Sequence, residues 1–225
     1  MREFDKIFLS WRTGPGSARF IVGVIQKLLD DTMIFKYDVE ESECAKKEGF
    51  LPYTEFPDVN KIYNGNVLDI FAQRLIKSDR TDVQKFYDFW EIEQQYFNDK
   101  FYLLGHTEGL LPTDNFEFLA DYNPVKGLHF LTDLASLSVV QHSSDKLAPG
   151  DELYTKSEKD NKHDGEAIAV YKGNLKIGYI KKVHCRVFHK EGGDKLKLRV
   201  KAVDKNGIIK RAFVKVYSEE IVSKK

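Results

Sequence analysis

In residues 195–203 cationic and aliphatic side chains alternate as far as Ala202, and this pattern limits the possible folds more than any other stretch of the chain. Successive side chains of a β-strand point to opposite faces, so the cations lie on one face and the aliphatic groups on the other. The apolar-rich residues 209–217 follow shortly after a turn signal at Asn206 and Gly207. The two segments predict an antiparallel hairpin with one apolar and one basic face.

The length of the hairpin loop decides which residues face each other. A two-residue loop at Asn206 and Gly207 would mix cationic and aliphatic side chains on both faces, whereas a three-residue loop with a left-handed Gly207 keeps them apart. That register predicts Lys201 opposite Arg211, Arg199 opposite Phe213, Lys197 opposite Lys215 and Lys195 opposite Tyr217. Two of these pairs oppose like charges, which costs a few tenths to about 1 kcal/mol each.

Two interpretations of the basic face are open at this point. A bound phosphate backbone would supply the anions that offset the repulsion, and Phe213 and Tyr217 would offer surfaces on which bases stack. Alternatively, the lysines keep an edge strand soluble and prevent its pairing with other chains. The basic residues that we assign to nucleic-acid binding are Lys181, Lys182, Lys197, Arg199, Lys201, Arg211 and Lys215.

The charges of the chain are distributed unevenly. The 35 Lys and Arg residues balance 35 Asp and Glu residues, so the formal net charge is zero and a uniformly basic nucleic-acid binder is excluded. Residues 1–126 hold 15 of the cations and 22 of the anions (15 − 22 = −7), and residues 127–225 hold 20 and 13 (20 − 13 = +7). Such asymmetry favours an anionic partner for the second half. The alternative is a solvated lysine-rich surface that docks onto the acidic half.

The sequence predicts an α+β protein with a boundary near residues 122–127. In the first half, strand patterns at 7–11, 18–28 and 33–37 precede helical patterns, one of them over 67–76. The second half reads as strands at 128–134, 152–157, 167–171, 176–181, 195–203 and 209–217, with one helix at 183–190. We therefore expect a mixed α/β domain over residues 1–124 and a small β-barrel over 127–222.

A motif in the second half resembles a known family. Residues 158–170 read Glu-Lys-Asp-Asn-Lys-His-Asp-Gly-Glu-Ala-Ile-Ala-Val, and residues 176–180 read Lys-Ile-Gly-Tyr-Ile. This is similar to the HIRAN domain pattern: an acidic residue, an Asn, an aromatic–Asp pair, Ala-Ile-x-Val, then a Gly before an aromatic or His and an aliphatic residue. The resemblance extends over about residues 127–222 and implies an OB-like or SH3-like barrel, found alone in bacteria and fused to DNA-remodelling helicases in eukaryotes.

The best-known HIRAN domains hold the 3′-hydroxyl end of single-stranded DNA. The resemblance implies that His163 contacts the terminal nucleotide, that Asp164 accepts a hydrogen bond from the 3′-hydroxyl, and that Tyr179 stacks on a base or contacts a phosphate. Ser138 and Val139 stand where DNA-end-binding members have a basic and then an aromatic residue. The alternative for Asp164 is a turn residue that closes the loop 161–165.

The first half resembles the N-terminal subdomain of HipA-type kinases over roughly residues 5–120, at scattered apolar and turn positions such as Val24, Ile25 and 103–105. That subdomain packs against a kinase core and is not itself catalytic. The resemblance implies a module that docks a kinase-like partner.

Other classes of function find little support in the sequence. Cys185 and His189 have helical spacing but make only two of the three or four ligands that zinc needs, so we expect no metal and no cofactor. No catalytic motif stands out, and the chain is expected not to be an enzyme. The longest apolar run, residues 20–25, is far shorter than a membrane helix. Two distant cysteines favour a reducing cytoplasm.

These observations lead to two hypotheses that are compatible with each other. In the first, the barrel is a non-catalytic module that binds DNA, single-stranded or at 3′ ends, through the basic ribbon and a His163–Asp164 pocket. In the second, the protein is an interaction module that docks a kinase-like partner through its acidic half.

Overall fold

The computed structural model of the protein describes residues 2–14, 16–137 and 145–218. The chain divides into two compact units: Phe4–Asp121 forms one, and Tyr122–Lys225 with Met1–Glu3 forms the other. Helices and antiparallel sheets occur together, so the predicted α+β class is confirmed. Within the described ranges, every helix is too short or too polar to cross a membrane.

The first unit contains a five-stranded antiparallel sheet. Its strands are β1 (Lys6–Trp11), β2 (Phe20–Lys27), β3 (Met33–Tyr37), β4 (Ile62–Tyr63) and β5 (Phe116–Ala120), and they lie in the order β4-β3-β2-β1-β5. The core is aromatic, and the Phe35 ring packs edge to face on Phe71 at a centroid distance of 5.0 Å. Gly23 makes room for this packing, since a Cβ there would lie 2.8 Å from the Phe35 ring.

Four helices accompany this sheet. They are α1 (Val39–Lys47), α2 (Val67–Phe71), α3 (Val83–Trp90) and α4 (Lys100–Thr107). The helix predicted over 67–76 is shorter than expected, because α2 ends at Phe71 and a single 3-10 turn, Ala72–Arg74, follows. The Arg74 guanidinium binds both carboxylate oxygens of Asp114 (2.6 and 2.7 Å) and the Gly109 carbonyl (2.8 Å), so tertiary contacts override the helical pattern.

The second unit is a curled six-stranded antiparallel sheet. Its strands are β6 (His129–Asp133), β7 (Glu152–Ser157), β8 (Ile168–Lys172), β9 (Leu175–Tyr179), β10 (Leu196–Asn206) and β11 (Ile208–Ser218). They lie in the order β6-β11-β10-β7-β8-β9. One short helix, α5 (Arg186–His189), lies within the stretch predicted to be helical. The predicted small barrel is thus confirmed for this unit.

The two edges of this sheet meet at Ala135 and Tyr179. The amide of each residue donates to the carbonyl of the other, at 2.8 and 3.0 Å. The residue before Tyr179 must be small for the chains to approach this closely, because a Cβ on Gly178 would lie 2.7 Å from the Ala135 carbonyl oxygen. A single backbone bridge therefore joins β9 to the chain that follows β6.

The hairpin of β10 and β11 has the predicted faces but not the predicted register. Gly207 lies at its tip with φ +73°, and the aligned pairs include Lys197 with Tyr217 and Arg199 with Lys215. The predicted pairing of Lys201 with Arg211, Arg199 with Phe213, Lys197 with Lys215 and Lys195 with Tyr217 is therefore wrong by two residues.

The difference in register arises at the tip, where Asn206 pairs with Ile208 across Gly207 instead of forming the predicted three-residue loop, and two β-bulges farther along the strands cancel each other. Lys201 is an extra residue on β10, and Lys210 is an extra residue on β11, so the two insertions compensate and the inward and outward faces are preserved. Arg211 now opposes Asp204, and one like-charge pair, Arg199 with Lys215, remains instead of two.

Candidate nucleic-acid interface

The β10–β11 hairpin buries one face and presents cations and aromatic rings on the other. Leu196, Leu198 and Val200 are buried on β10, and Val214 and Val216 are buried on β11. We call the outward-facing set the basic ribbon; it consists of Lys197, Arg199, Lys201, Arg211, Phe213, Lys215 and Tyr217.

The central cations of the basic ribbon lie close to one another. Lys197 and Arg199 are exposed, and Lys215 is directly opposite Arg199 with its Nζ 5.8 Å from the Tyr217 ring centroid. Arg199 Nη2 donates to Glu152 Oε1 on the neighbouring β7 at 2.7 Å, and this hydrogen bond is the main reason that the pKa of Arg199 is raised. The ribbon therefore combines fixed positive charge with aromatic surface.

Arg211 is held more tightly than the other ribbon cations. Its Nε donates to Asp133 Oδ2 at 3.0 Å, and its guanidinium lies 4.4 Å from the Phe213 ring centroid. Phe213 faces Asp133 in the β11–β6 register, so Asp133 forms one cluster with two ribbon residues, Arg211 and Phe213.

Two adjacent lysines that the sequence assigns to the same surface lie in different places. Lys182 is exposed, as a contact residue must be. Lys181 is buried, and its ammonium group forms an ion pair with Asp133 inside the unit. Lys181 is therefore not a surface contact, because its ammonium group is paired with a buried carboxylate and does not reach solvent.

The loop with His163 and Asp164 is organised by the side chain of Asn161. Asn161 Oδ1 accepts from the backbone amides of His163 (3.0 Å) and Asp164 (3.3 Å). Asp164 Oδ1 accepts from the Glu166 amide at 2.9 Å, which uses one of its two carboxylate oxygens in the turn. The His163 side chain is exposed and Asp164 is half-buried, so both lie at the surface.

Tyr179 joins this loop through a polar network. Its hydroxyl donates to Glu158 Oε2 at 2.9 Å and accepts from Lys176 Nζ at 2.5 Å and from Asn161 Nδ2 at 3.2 Å. Lys176 Nζ also donates to Glu158 Oε1 at 2.7 Å and lies 4.2 Å from the Tyr179 ring centroid. These bonds, led by the one from Lys176, hold the pKa of Glu158 below its usual value.

The structure thus brings His163, Asp164 and Tyr179 together around Asn161, although they are up to 16 positions apart in sequence. Glu158 and Asn161 were not among the predicted site residues. The signal was present, because both stand inside the quoted 158–170 motif, where a polar side chain near a turn often binds backbone amides.

Ser138 and Val139 lie outside the described residues. Among the residues that the structure does describe, no group of three His, Cys, Asp or Glu side chains has the arrangement of a metal site. His184 Nδ1 lies 2.8 Å from Thr132 Oγ1, Cys185 Sγ donates to the Lys182 carbonyl, and His189 Nε2 contacts the Glu166 carbonyl at 2.8 Å. Each of these side chains has a local structural contact.

Comparisons with known proteins find a family match within the second unit. Residues 125–217 match the family model of the HIRAN domain, which is generally a DNA-binding domain. A crystal structure of the HIRAN domain of human HLTF aligns with 14% identity and a TM-score of 0.33, covering 41% of this chain and 77% of that one. None of the curated proteins matches the chain. The similarity of residues 5–120 to HipA-type kinases stays a prediction.

Proposed function

Because residues 125–217 are a HIRAN domain, we propose that the protein is a non-catalytic DNA-binding protein that engages single strands or 3′ ends. The observation that supports this most is the basic ribbon, in which Lys197, Arg199 and Lys215 point outward together on one sheet face. Bound phosphates would relieve the repulsion between Arg199 and Lys215.

In this proposal one set of ribbon side chains contacts the DNA backbone and another set contacts the bases. Lys197, Arg199 and Lys215 neutralise phosphates, while the half-exposed rings of Phe213 and Tyr217 offer faces for base stacking. Such contacts depend little on base identity, since every base has an aromatic face. We therefore expect affinity without strong sequence preference.

The loop with His163 and Asp164 is proposed to receive the 3′ end. The second oxygen of Asp164 would accept from the 3′-hydroxyl, His163 would contact the last nucleotide, and Asn161 would hold the loop in place. Lys182, exposed three residues beyond Tyr179, would contact a phosphate there. The Tyr179 hydroxyl is occupied by Glu158 and Lys176, which favours its ring as the contacting group.

Fluorescence anisotropy with labelled single strands tests the proposal. Strands that end in a 3′-hydroxyl or a 3′-phosphate are titrated with the protein at several salt concentrations between about 50 and 200 mM. We expect a linear fall of log affinity with log salt and weaker binding of the 3′-phosphate strand. Lack of binding at about 50 mM salt would refute the proposal, and equal affinity for both ends would remove the role of Asp164 alone.

Charge variants locate the contact surface in the same assay. Lys197→Gln and Lys215→Gln should each make the salt dependence shallower by about 0.7, the expected loss per phosphate contact on a single strand. Lys77→Gln, an exposed lysine of the first unit, removes the same charge elsewhere and should leave the slope unchanged. Equal effects of all three variants would point to net charge rather than to the ribbon.

A further inference from the structure

Two tyrosines form a stacked pair on the outer face of β7 and β8. Tyr154 and Tyr171 are directly opposite each other in the antiparallel register. Their ring centroids are 5.4 Å apart and their planes differ by 12°. The Tyr154 side chain is unusual for a large aromatic group in being 49% exposed. Its hydroxyl donates to the Gly173 carbonyl at 2.5 Å, which fixes the ring in this orientation. We call this pair the tyrosine platform.

The tyrosine platform lies on the same outer face as Arg199 of the basic ribbon. Arg199 is paired with Glu152 across β10 and β7, and the preceding pair, Leu198 with Leu153, is buried on the inner face. Alternation along β7 then places Tyr154 on the outer face, two positions from Glu152. The platform is therefore a continuation of the ribbon surface onto the next two strands.

The platform also lies between the two regions assigned to DNA. In the sheet order β10-β7-β8-β9, the strands of Tyr154 and Tyr171 separate the strand of Arg199 from the strand of Tyr179. Lys176 faces Tyr171 across β8 and β9 and binds the Tyr179 hydroxyl. A single strand that runs from the ribbon to the His163 loop across this face would pass over the platform.

The charges on this face are compatible with the binding of an anionic nucleic acid. The two carboxylates beside the platform are each paired with a cation: Glu152 with Arg199 at 2.7 Å and Glu158 with Lys176 at 2.7 Å. Lys156, which follows Tyr154 by two positions on the same face of β7, is exposed and adds a positive charge. The surroundings combine an exposed ring with nearby cations, which is the composition of single-strand binding surfaces.

We propose that Tyr154 and Tyr171 form a stacking site for the unpaired bases of single-stranded nucleic acid, with Tyr154 as the contacting ring. This inference depends on the proposed function, because the ribbon supplies the phosphate contacts that bring the strand to the platform. Stacking of one base on an aromatic side chain changes affinity by about fivefold to a hundredfold. A cross-strand tyrosine pair that serves only the stability of the sheet would have no such effect on binding.

A test separates base stacking from phosphate binding. Anisotropy is measured with an oligothymidylate and with an abasic strand of the same length, which has the same phosphates but no bases. Tyr154→Leu should weaken binding of the oligothymidylate at least fivefold and leave binding of the abasic strand unchanged. Tyr154→Phe, which keeps the ring and loses the hydroxyl, should bind both strands nearly as the wild type does.

The outcomes distinguish this inference from the proposed function. If the wild type binds both strands and Tyr154→Leu weakens neither, or weakens both equally, the platform is refuted and the ribbon is not. If the wild type binds neither strand, both proposals fall. A second measurement does not depend on a folded variant: a strand containing 5-iodouracil should photo-crosslink to Tyr154 of the wild-type protein, as mapped by mass spectrometry. Crosslinks that map only elsewhere would also refute the platform.

Discussion

The ammonium group of Lys181 is buried against the carboxylate of Asp133, and that carboxylate also binds Arg211. Asp133 ends β6, Lys181 follows β9, and Arg211 belongs to β11, so one carboxylate ties together three parts of the barrel. Lys181 thereby positions a residue of the basic ribbon without reaching the surface itself.

Replacement of Lys181 should destabilise the second unit, whereas replacement of its neighbour should not. Lys181→Met removes a cation that binds the buried Asp133 while Arg211 still binds its other carboxylate oxygen, so the expected cost is about 1–3 kcal/mol, less than that of an uncompensated buried charge. Lys182→Met removes an exposed charge and should change the free energy of unfolding by less than about 0.5 kcal/mol. Urea unfolding of both variants measures the difference.

Of these two variants, Lys182→Met is the one that removes a proposed DNA contact. Lys182→Met should weaken binding and flatten its salt dependence, since Lys182 is the proposed phosphate contact. If the two variants were equally stable, the proposal that the buried ion pair of Lys181 with Asp133 stabilises the second unit would be wrong.

Gly178 should be intolerant of a side chain because of the backbone bridge that follows it. A Cβ at this position would lie 2.7 Å from the Ala135 carbonyl oxygen, a backbone atom that moves only if the bridge between Ala135 and Tyr179 opens. Gly178→Ala should cost about 1–3 kcal/mol and speed hydrogen exchange at the Tyr179 amide. Gly165→Ala is the matched control, since its Cβ would have its nearest neighbour at an ordinary 3.7 Å.

Periodicity predicted the strands of the barrel well, because burial follows alternation directly. The strand predicted at 152–157 is β7 without change, and the inward and outward faces of the ribbon are as expected. The register could not be predicted, because the tight pairing of Asn206 with Ile208 at the tip shifts it by two residues, and a shift of two residues leaves the pattern of faces unchanged.

Tertiary contacts account for what the sequence did not predict at the candidate site. Lys181 and Lys182 are neighbouring residues of the same type, and it is the fold that buries Lys181 against Asp133 and leaves Lys182 exposed. The Tyr154–Tyr171 pair likewise depends on the register between β7 and β8. The alternation of residues within one strand does not reveal that register. The cluster around Asn161 was predictable as a motif, but its bond to Tyr179 was not.

Acid should loosen the network around Glu158. Because its pKa is lowered in the folded protein, chiefly by the bond from Lys176, its contribution to stability is present above the ordinary value of 4.5 and is lost as the pH falls through the lower folded value. The free energy of unfolding of the wild type should therefore fall more steeply below about pH 4.5 than that of Glu158→Gln. Parallel curves for the two proteins would contradict this role of Glu158.

The two cysteines should differ greatly in reactivity. Cys44 is exposed, whereas Cys185 is buried and donates to the Lys182 carbonyl. Burial raises the pKa of the Cys185 thiol to about 12, so the thiol holds its proton at pH 8 and the reactive thiolate is scarce. Iodoacetamide should label one thiol of the native protein quickly and both in concentrated urea. The native Cys44→Ser variant should label at least about 100-fold more slowly than the wild type; rapid labelling of it would contradict the burial.

Removal of the carboxylate beside Arg199 should strengthen DNA binding rather than weaken it. Glu152 and Arg199 are both largely exposed, so solvent screens their ion pair, and Glu152→Gln should fold as the wild type does. The change releases Arg199 from its bond to Glu152 so that it can bind a phosphate, and affinity for a single strand should rise about two- to fivefold at low salt. Glu191→Gln changes the net charge equally on an exposed loop after α5 and should have a smaller effect. Equal gains from both variants would show that net charge, and not the pairing of Arg199, governs the affinity.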